Sequence, residues 1–209
     1  MIKVEGCRMA PMYLYLRPFE SDGQIWVDNP RKKSIWNYLL ITYQVATPSA
    51  VNLEEALLQS VEKYGLLVSI GEQTKIIGAG RVIASDNDWR ANFVALAHRA
   101  AYIFSVPSLH TSTIWELEWL AKSAMHAKVA MFFTPMHQES FPAGPAGVDP
   151  KSKFGIGDLR NKLIALGWSI PSSVKKGSIV NFYNDGTVKT HIENSSFKRK
   201  YIDLILKSV

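Results

Sequence analysis

Short apolar runs alternate with amphipathic segments over much of this chain, and this alternation constrains the fold more than any other feature. The spacing of apolar residues predicts helices at 52–65, at 86–100 and from Trp115 onward. A strand, helix, strand order of this length requires parallel pairing through right-handed crossovers, with helices on both faces of a sheet. The predicted strands are YLYL at 13–16, LLVSI at 66–70, AYIFSV at 101–106, VAMFF at 129–133 and a fifth near 179–183.

The last third of the chain predicts completion of the same domain. A segment rich in proline and glycine at 137–155 predicts an irregular loop, and Asn184-Asp185-Gly186 predicts a hairpin turn. We therefore expect an α/β three-layer sandwich with a mainly parallel five-stranded sheet in the order 2-1-3-4-5 and a C-terminal hairpin and helix extension. The expected organisation is one domain over 1–209, with a core at about 12–135, a loop at 136–157 and a C-terminal completion at 158–209.

The charge of the chain argues against nucleic acid as a partner. The 24 lysines and arginines exceed the 18 acidic residues by only six, and the basic clusters are dispersed along the sequence. A dispersed positive charge favours a solvated surface, and it would also suit a small phosphate-bearing ligand.

Cysteine content and hydropathy predict a cytoplasmic protein with no membrane partner. The single cysteine, Cys7, cannot form an internal disulfide and suits a reducing compartment. The longest apolar runs are far shorter than a membrane span, and the N-terminal residues lack a long apolar signal core.

Several common functional motifs are absent from the sequence. The segment at 71–81, GEQTKIIGAGR, matches neither the phosphate loop GxxxxGK[ST] nor GxGxxG, and no GxSxG elbow occurs. The five histidines show no paired spacing, so we expect no metal site. Ligands of open parallel sheets bind beyond the carboxyl ends of the strands, which selects the loops LRPFESDG, GEQTKIIG and PSLHTSTIWE as candidates.

Four segments together resemble the bacterial TIR-like proteins, which are relatives of Toll/interleukin-1 receptor domains. The resemblance covers about 12–135 and implies a flavodoxin-like fold whose enzymatic members break the nicotinamide–ribose bond of NAD with a glutamate after the third strand. NAD would then be a substrate, with no permanently bound cofactor. The segments are LRPFESD at 16–22, SIGEQTKIIGAGR at 69–81, SDNDWRANFVALAHRAAYIFSV at 85–106 and TSTIWELEWL at 111–120.

The chain departs from the family pattern at two positions. It is distantly similar to nucleoside deoxyribosyltransferases, in which a small-residue turn precedes the catalytic glutamate, but Ser112 stands where glycine is usual. In many TIR domains the glutamate lies four residues after a tryptophan, and that position here is Trp119. The resemblance therefore implies Glu116 as the catalytic residue, with Glu118 as the second choice.

The resemblance also implies a set of substrate-binding residues. Arg17 would contact phosphate, Asp22 would contact ribose, and Phe19 and Trp115 would stack on rings. The full set is Arg17, Phe19, Asp22, Gly71, Thr113 and Trp115.

The same residues have simpler structural interpretations. Thr113 and Glu116 fit the S/T-x-x-E capping box of a helix start, and Glu118 precedes Lys122 at the spacing of an exposed ion pair. Trp115 and Trp119 share one helix face and would pack as core. Surface ion pairing of Arg17, a loop-anchoring Phe19 and a turn-forming Asp22 are the corresponding alternatives.

Three functions from different classes remain open. The first is a TIR-like NAD glycohydrolase or cyclase in bacterial antiphage defence or signalling. The second is a non-catalytic module that binds a nucleotide or assembles with partners. The third is a nucleoside N-glycosidase or deoxyribosyltransferase. The resemblance further implies a homo-oligomer or a partner defence protein, because TIR-like enzymes commonly order their sites by self-association.

Overall fold

The protein has an α/β fold whose main sheet is mixed and mostly parallel. The computed structural model describes residues 10–17, 26–28, 50–71, 79–85, 87–133, 155–193 and 199–207. Over these ranges the main sheet has seven strands. Within the same ranges no helix has the length and apolar character that crossing a membrane requires.

The strands of the described chain form two sheets. They are β1 Met12–Leu16, β2 Trp26–Asp28, β3 Ala50–Asn52, β4 Leu66–Ile70, β5 Gly80–Val82, β6 Tyr102–Ser105, β7 Val129–Phe133, β8 Ser178–Phe182 and β9 Val188–Ile192. The main sheet has the order β5-β4-β1-β6-β7-β8-β9, and β2 pairs with β3 in a separate sheet. The pairings from β5 to β7 are parallel, whereas β7–β8 and β8–β9 are antiparallel.

Four of the helices lie between strands along the chain and α5 follows the last strand; α1 and α4 begin at side-chain hydrogen bonds. They are α1 Leu53–Val61, α2 Trp89–Arg99, α3 Thr111–Lys122, α4 Ile156–Ala165 and α5 Arg199–Lys207, with a 3₁₀ turn at His126–Lys128. The side chain of Asn52 accepts a hydrogen bond from the Glu54 N–H at 2.8 Å, so Asn52 is the N-cap of α1. The Asp158 carboxylate accepts from the Gly155 N–H at 3.1 Å and stabilises the start of α4 in the same way.

The predicted strand count and order are wrong for the complete sheet. The predicted strands are neighbours in the central part, but β5 adds to one edge and β9 to the other. Strand β5 is only Gly80-Arg81-Val82, too short and too polar to be recognised as an apolar run. Strand β9 was expected in an extension outside the sheet, and it instead pairs with β8 as the outer strand of the predicted hairpin.

Two apolar layers lie on opposite faces of the main sheet, because successive strand residues point to opposite sides. The first layer joins the sheet to α1 and α5, and the second joins it to α2, α3 and α4. Members of the first include Tyr13, Tyr15, Phe104, Leu57 and Ile205. Members of the second include Leu14, Leu16, Ile103, Phe93, Leu117 and Leu163.

Candidate functional site

The carboxyl ends of β4, β1 and β6 lie side by side at one edge of the main sheet. The helix that precedes β4 and the helix that follows β6 pack on opposite faces of the sheet. Strand β1 lies between β4 and β6, and α1 and α3 pack on opposite faces on either side of it. This is the switch point at which open α/β sheets bind ligands. Arg17 follows β1, Gly71 follows β4 and Ser105 ends β6, so all three lie at this edge.

Glu116 lies in the second turn of α3 and does not cap the helix. The helix begins at Thr111 with His110 as its N-cap residue, which places Thr113 in the first turn. The capping-box interpretation of Thr113 and Glu116 is therefore wrong. The helix begins three residues earlier than the capping pattern suggested, with His110 rather than Thr113 as its N-cap residue.

The Glu116 side chain is buried against the second apolar layer. It is 4% exposed and shares the inner face of α3 with Thr113, Leu117 and Leu120. Among the described residues no hydrogen bond or ion pair reaches its carboxyl group, and burial raises its pKa from 4.5 to about 8. A buried carboxyl with this pKa, on the helix that follows a strand at the switch point, is a candidate for a functional role.

Glu118 faces solvent, as its spacing to Lys122 predicted. Its carboxylate lies 2.6 Å from the Lys122 Nζ, with 39% of the side chain exposed. The hydrogen bond and charge of Lys122 lower the pKa of Glu118. This confirms the ion-pair interpretation and leaves Glu116 as the buried carboxyl of the WELEW segment.

The two tryptophans of this segment pack against α2, as predicted from their shared face. The Trp115 ring centre lies 5.1 Å from that of Trp89 and 5.7 Å from that of Phe93, and Trp119 lies 5.4 Å from Phe93. The Arg90 guanidinium carbon stands 5.1 Å from the Trp115 ring centre. These contacts stabilise α3 on α2, and stacking of Trp115 on a substrate ring stays a prediction.

On the opposite face of the sheet, Arg17 and Arg81 share the carboxylate of Glu54. Arg17 donates to Glu54 Oε2, and Arg81 Nη2 lies 3.3 Å from Glu54 Oε1. The Ala79 N–H also donates to Glu54 Oε1, at 2.8 Å. The side chains of Arg17 and Glu54 are only 4% and 3% exposed, so the surface ion pair expected for Arg17 is wrong and the pair is buried.

Gly71 lies next to this buried cluster. A Cβ atom at Gly71 would lie 3.5 Å from Arg81 Nη1 and 3.8 Å from Arg17 Nη2, in van der Waals contact with both guanidinium groups. A larger side chain at this position would extend over them. The backbone of Gly71 therefore lies close to two arginines whose side chains are only 4% and 9% exposed.

Sequence reasoning did not identify Glu54 or Arg81. Glu54 lies on the same helical face as Leu57 and Val61, three and seven residues later. A charged residue on an apolar stripe was the available signal, since such a residue is rarely buried without a partner. Arg81 gave no comparable signal, because strand β5 itself was not predicted.

Glu54→Gln is expected to destabilise the protein by about 3–5 kcal/mol, because it removes the negative charge between two buried guanidinium groups. Glu55→Gln is the matched control in the same helical turn. Glu55 is only half-buried and accepts a hydrogen bond from Gln59 at 3.0 Å, so its loss should be small. Urea unfolding at pH 7 measures both, and equal small losses would show that the cluster is solvated.

The remaining predicted positions divide into two groups. Thr113 is buried beside Glu116 on α3, at the candidate site. Phe19 and Asp22 lie outside the described residues. In the described part of the chain, no three histidine, cysteine, aspartate or glutamate side chains are grouped to hold a metal ion.

The described chain is thus an α/β protein in which α3, on one face of the sheet, carries a buried carboxyl, and a buried arginine cluster lies on the other face. Scanning protein-family models, curated proteins and solved structures gave no match to this chain. The resemblance to TIR-like proteins therefore rests on the four sequence segments alone.

Proposed function

We propose that this protein is a TIR-like NAD glycohydrolase or cyclase that cleaves the nicotinamide–ribose bond, with Glu116 as its catalytic residue, in bacterial antiphage defence or signalling. The buried carboxyl of Glu116 at the sheet switch point is the observation that carries the proposal. It occupies the position after the third predicted strand that the family resemblance implies.

The arginine cluster supports a substrate that bears phosphate groups. Arg17 and Arg81 lie toward the carboxyl ends of β1 and β4, on the face of the sheet opposite to α3, which carries Glu116 in its second turn. A dinucleotide crossing the edge at β1 would bring its pyrophosphate to the guanidinium groups and one ribose to Glu116. Guanidinium groups bind phosphate oxygens through paired, charge-assisted hydrogen bonds.

The environment of Glu116 suits the cleavage of a C–N glycosidic bond. In NAD the C1′–N bond breaks with its electron pair passing to nitrogen, so the cationic pyridinium leaves as neutral nicotinamide. Water then adds to C1′ and releases one proton, which yields ADP-ribose. An ionised Glu116 would stabilise the positive charge that develops on the ribose, and the low-polarity surroundings would strengthen that effect.

The pH dependence of NAD cleavage tests this role. We expect kcat/KM for NAD to rise about tenfold per pH unit below a pKa of about 8 and to level above it, because the free enzyme must lose the Glu116 proton. The kcat profile should level at a lower pH, since the cationic nicotinamide ring favours the ionised carboxylate. Released nicotinamide, measured from pH 6 to 9, gives both profiles.

A second function is favoured by the protonated state of Glu116 at neutral pH. With its pKa raised to about 8, the carboxyl is mostly protonated at pH 7 and would serve as a general acid toward a purine or pyrimidine leaving group. Parallel incubations with nucleosides, followed by measurement of free base, examine this alternative. Base release that declines above pH 8, with no nicotinamide release, would replace the NAD proposal by a nucleoside N-glycosidase or deoxyribosyltransferase.

A further inference from the structure

Two hydroxyl groups in the second apolar layer, the layer that also contains α3 and Glu116, are buried without hydrogen-bond partners among the described residues. Ser105 is 0% exposed and Thr113 is 1% exposed, and neither side-chain oxygen makes a hydrogen bond to another described residue. Burying an unpaired hydroxyl costs about 1–3 kcal/mol. Two such groups on one side of the sheet therefore call for an explanation.

The register of the sheet places both hydroxyls on the same side as Glu116. Ser105 pairs with Leu16 of β1 and with Met131 of β7, and both partners belong to the layer shared with α3. Thr113 and Glu116 lie three residues apart on α3 and thus on one helix face. A connection of five residues, 106–110, joins the end of β6 to the start of α3, so these groups share one end of that layer.

Exposure increases from the hydroxyls to the carboxyl. Glu116 keeps 4% exposure, against 0% and 1% for the two hydroxyls. Both hydroxyls are thus buried as fully as the carboxyl, within the same apolar layer. Each can donate one hydrogen bond and accept others, which matches the needs of an alcohol group on a ligand.

We propose that Ser105 and Thr113 bind the 2′-hydroxyl of a ribosyl group whose C1′ lies at Glu116, so that the protein takes ribosyl rather than 2′-deoxyribosyl N-glycosides. This assignment rests on the proposed function of Glu116. A site built to pair with a substrate hydroxyl discriminates strongly against an analogue without it, because the buried protein hydroxyls stay unpaired. The ribosyl preference also separates this chain from enzymes that transfer 2′-deoxyribose.

Ser105→Ala and Thr113→Val test the subsite, and Ser69→Ala is the matched control. Ser69 is as buried as Ser105 and also lacks a partner, but it pairs with Tyr15 and therefore lies on the opposite face. Calorimetry measures the binding of ADP-ribose and of its 2′-deoxy form, and this measurement does not depend on turnover. In the deoxy form, and in 2′-deoxy-NAD, the missing hydroxyl is that of the ribose that carries nicotinamide in NAD. Cleavage of NAD and 2′-deoxy-NAD is measured beside it.

The native protein should bind ADP-ribose at least tenfold more tightly than its 2′-deoxy form. Ser105→Ala and Thr113→Val should each weaken ADP-ribose binding about tenfold, leave the deoxy ligand unaffected, and leave thermal stability unchanged or higher. Ser69→Ala should keep the full preference. Three results would overturn the subsite. They are equal binding of ADP-ribose and its 2′-deoxy form, binding of neither ligand, and a loss of the preference for ADP-ribose in Ser69→Ala equal to that in the two test variants.

The subsite and the proposed function can fail separately in this experiment. A ribosyl preference in binding without nicotinamide release supports the subsite and rejects the NAD glycohydrolase. Nicotinamide release at equal rates from NAD and 2′-deoxy-NAD supports the enzyme and rejects the subsite.

Discussion

Glu116→Gln is expected to stabilise the protein at pH 9 by up to about 5 kcal/mol and to leave its stability at pH 4 nearly unchanged. Burial holds the proton on Glu116 up to a pKa of about 8, whereas the unfolded chain releases it near its ordinary pKa of 4.5. The folded state therefore binds more protons between these values, so stability falls as the pH rises through that window. The interval between the two pKa values corresponds to about 5 kcal/mol as an upper figure.

Glutamine removes this titration, because it is neutral at every pH and has nearly the same shape. Urea unfolding at pH 4, 6, 8 and 9 measures the difference in the free energy of unfolding between the native protein and the variant. Titrations common to both proteins cancel in this difference. Glu118→Gln should keep the native pH dependence, since the exposed Glu118 is paired with Lys122. A difference that stays constant from pH 4 to 9 would mean that Glu116 is hydrated in solution.

The same substitution should lower nicotinamide release by about a hundredfold or more. A neutral amide cannot stabilise an oxocarbenium-like transition state as a carboxylate does, and comparable electrostatic deletions cost about 10²–10³ in rate. Because the variant should be at least as stable as the native protein, lost activity cannot be attributed to unfolding. Single-turnover measurement of nicotinamide at pH 8.5 records the effect where the native carboxylate is mostly ionised.

Glu118→Gln again provides the control, and it should retain nearly full activity because it is exposed and 2.6 Å from Lys122. Activity retained in Glu116→Gln but lost in Glu118→Gln would move the catalytic assignment two residues along α3. Full activity in both variants would show that the chemistry lies outside the WELEW segment.

Local patterns were sufficient for most elements of the fold. The run VAMFF is a strand because five consecutive apolar residues, all buried in the sheet, leave no polar face for an amphipathic helix. Asn52 starts α1 because its side chain caps the helix within two residues of itself. Strand β5 was not predicted, because the extended conformation of Gly80-Arg81-Val82 depends on its pairing with β4 and not on an apolar pattern of its own.

The candidate site was predictable only in part. Glu116 was selected by its place in a family-like segment, with Glu118 as the second choice, and the spacing of Glu118 to Lys122 predicted an ion pair. Neither pattern could distinguish a cap from a buried carboxyl, because the start of α3 depends on how the connection after β6 packs. The buried pairing of Arg17 with Glu54 joins residues 37 positions apart, and no local spacing encodes it.

The sequence by itself determined the α/β alternation, the capped start of α1, the hairpin turn and the solvent-facing ion pair of Glu118. Each of these depends on residues within one or two turns of one another, so short-range sterics, hydrogen bonds and charge decide them. Only the tertiary structure decided that Glu116 is buried, that Glu54 lies between two arginines, and that Ser105 and Thr113 share a layer with Glu116. Those properties depend on removal from water by distant segments, which raises the pKa of a carboxyl and leaves hydroxyls unpaired.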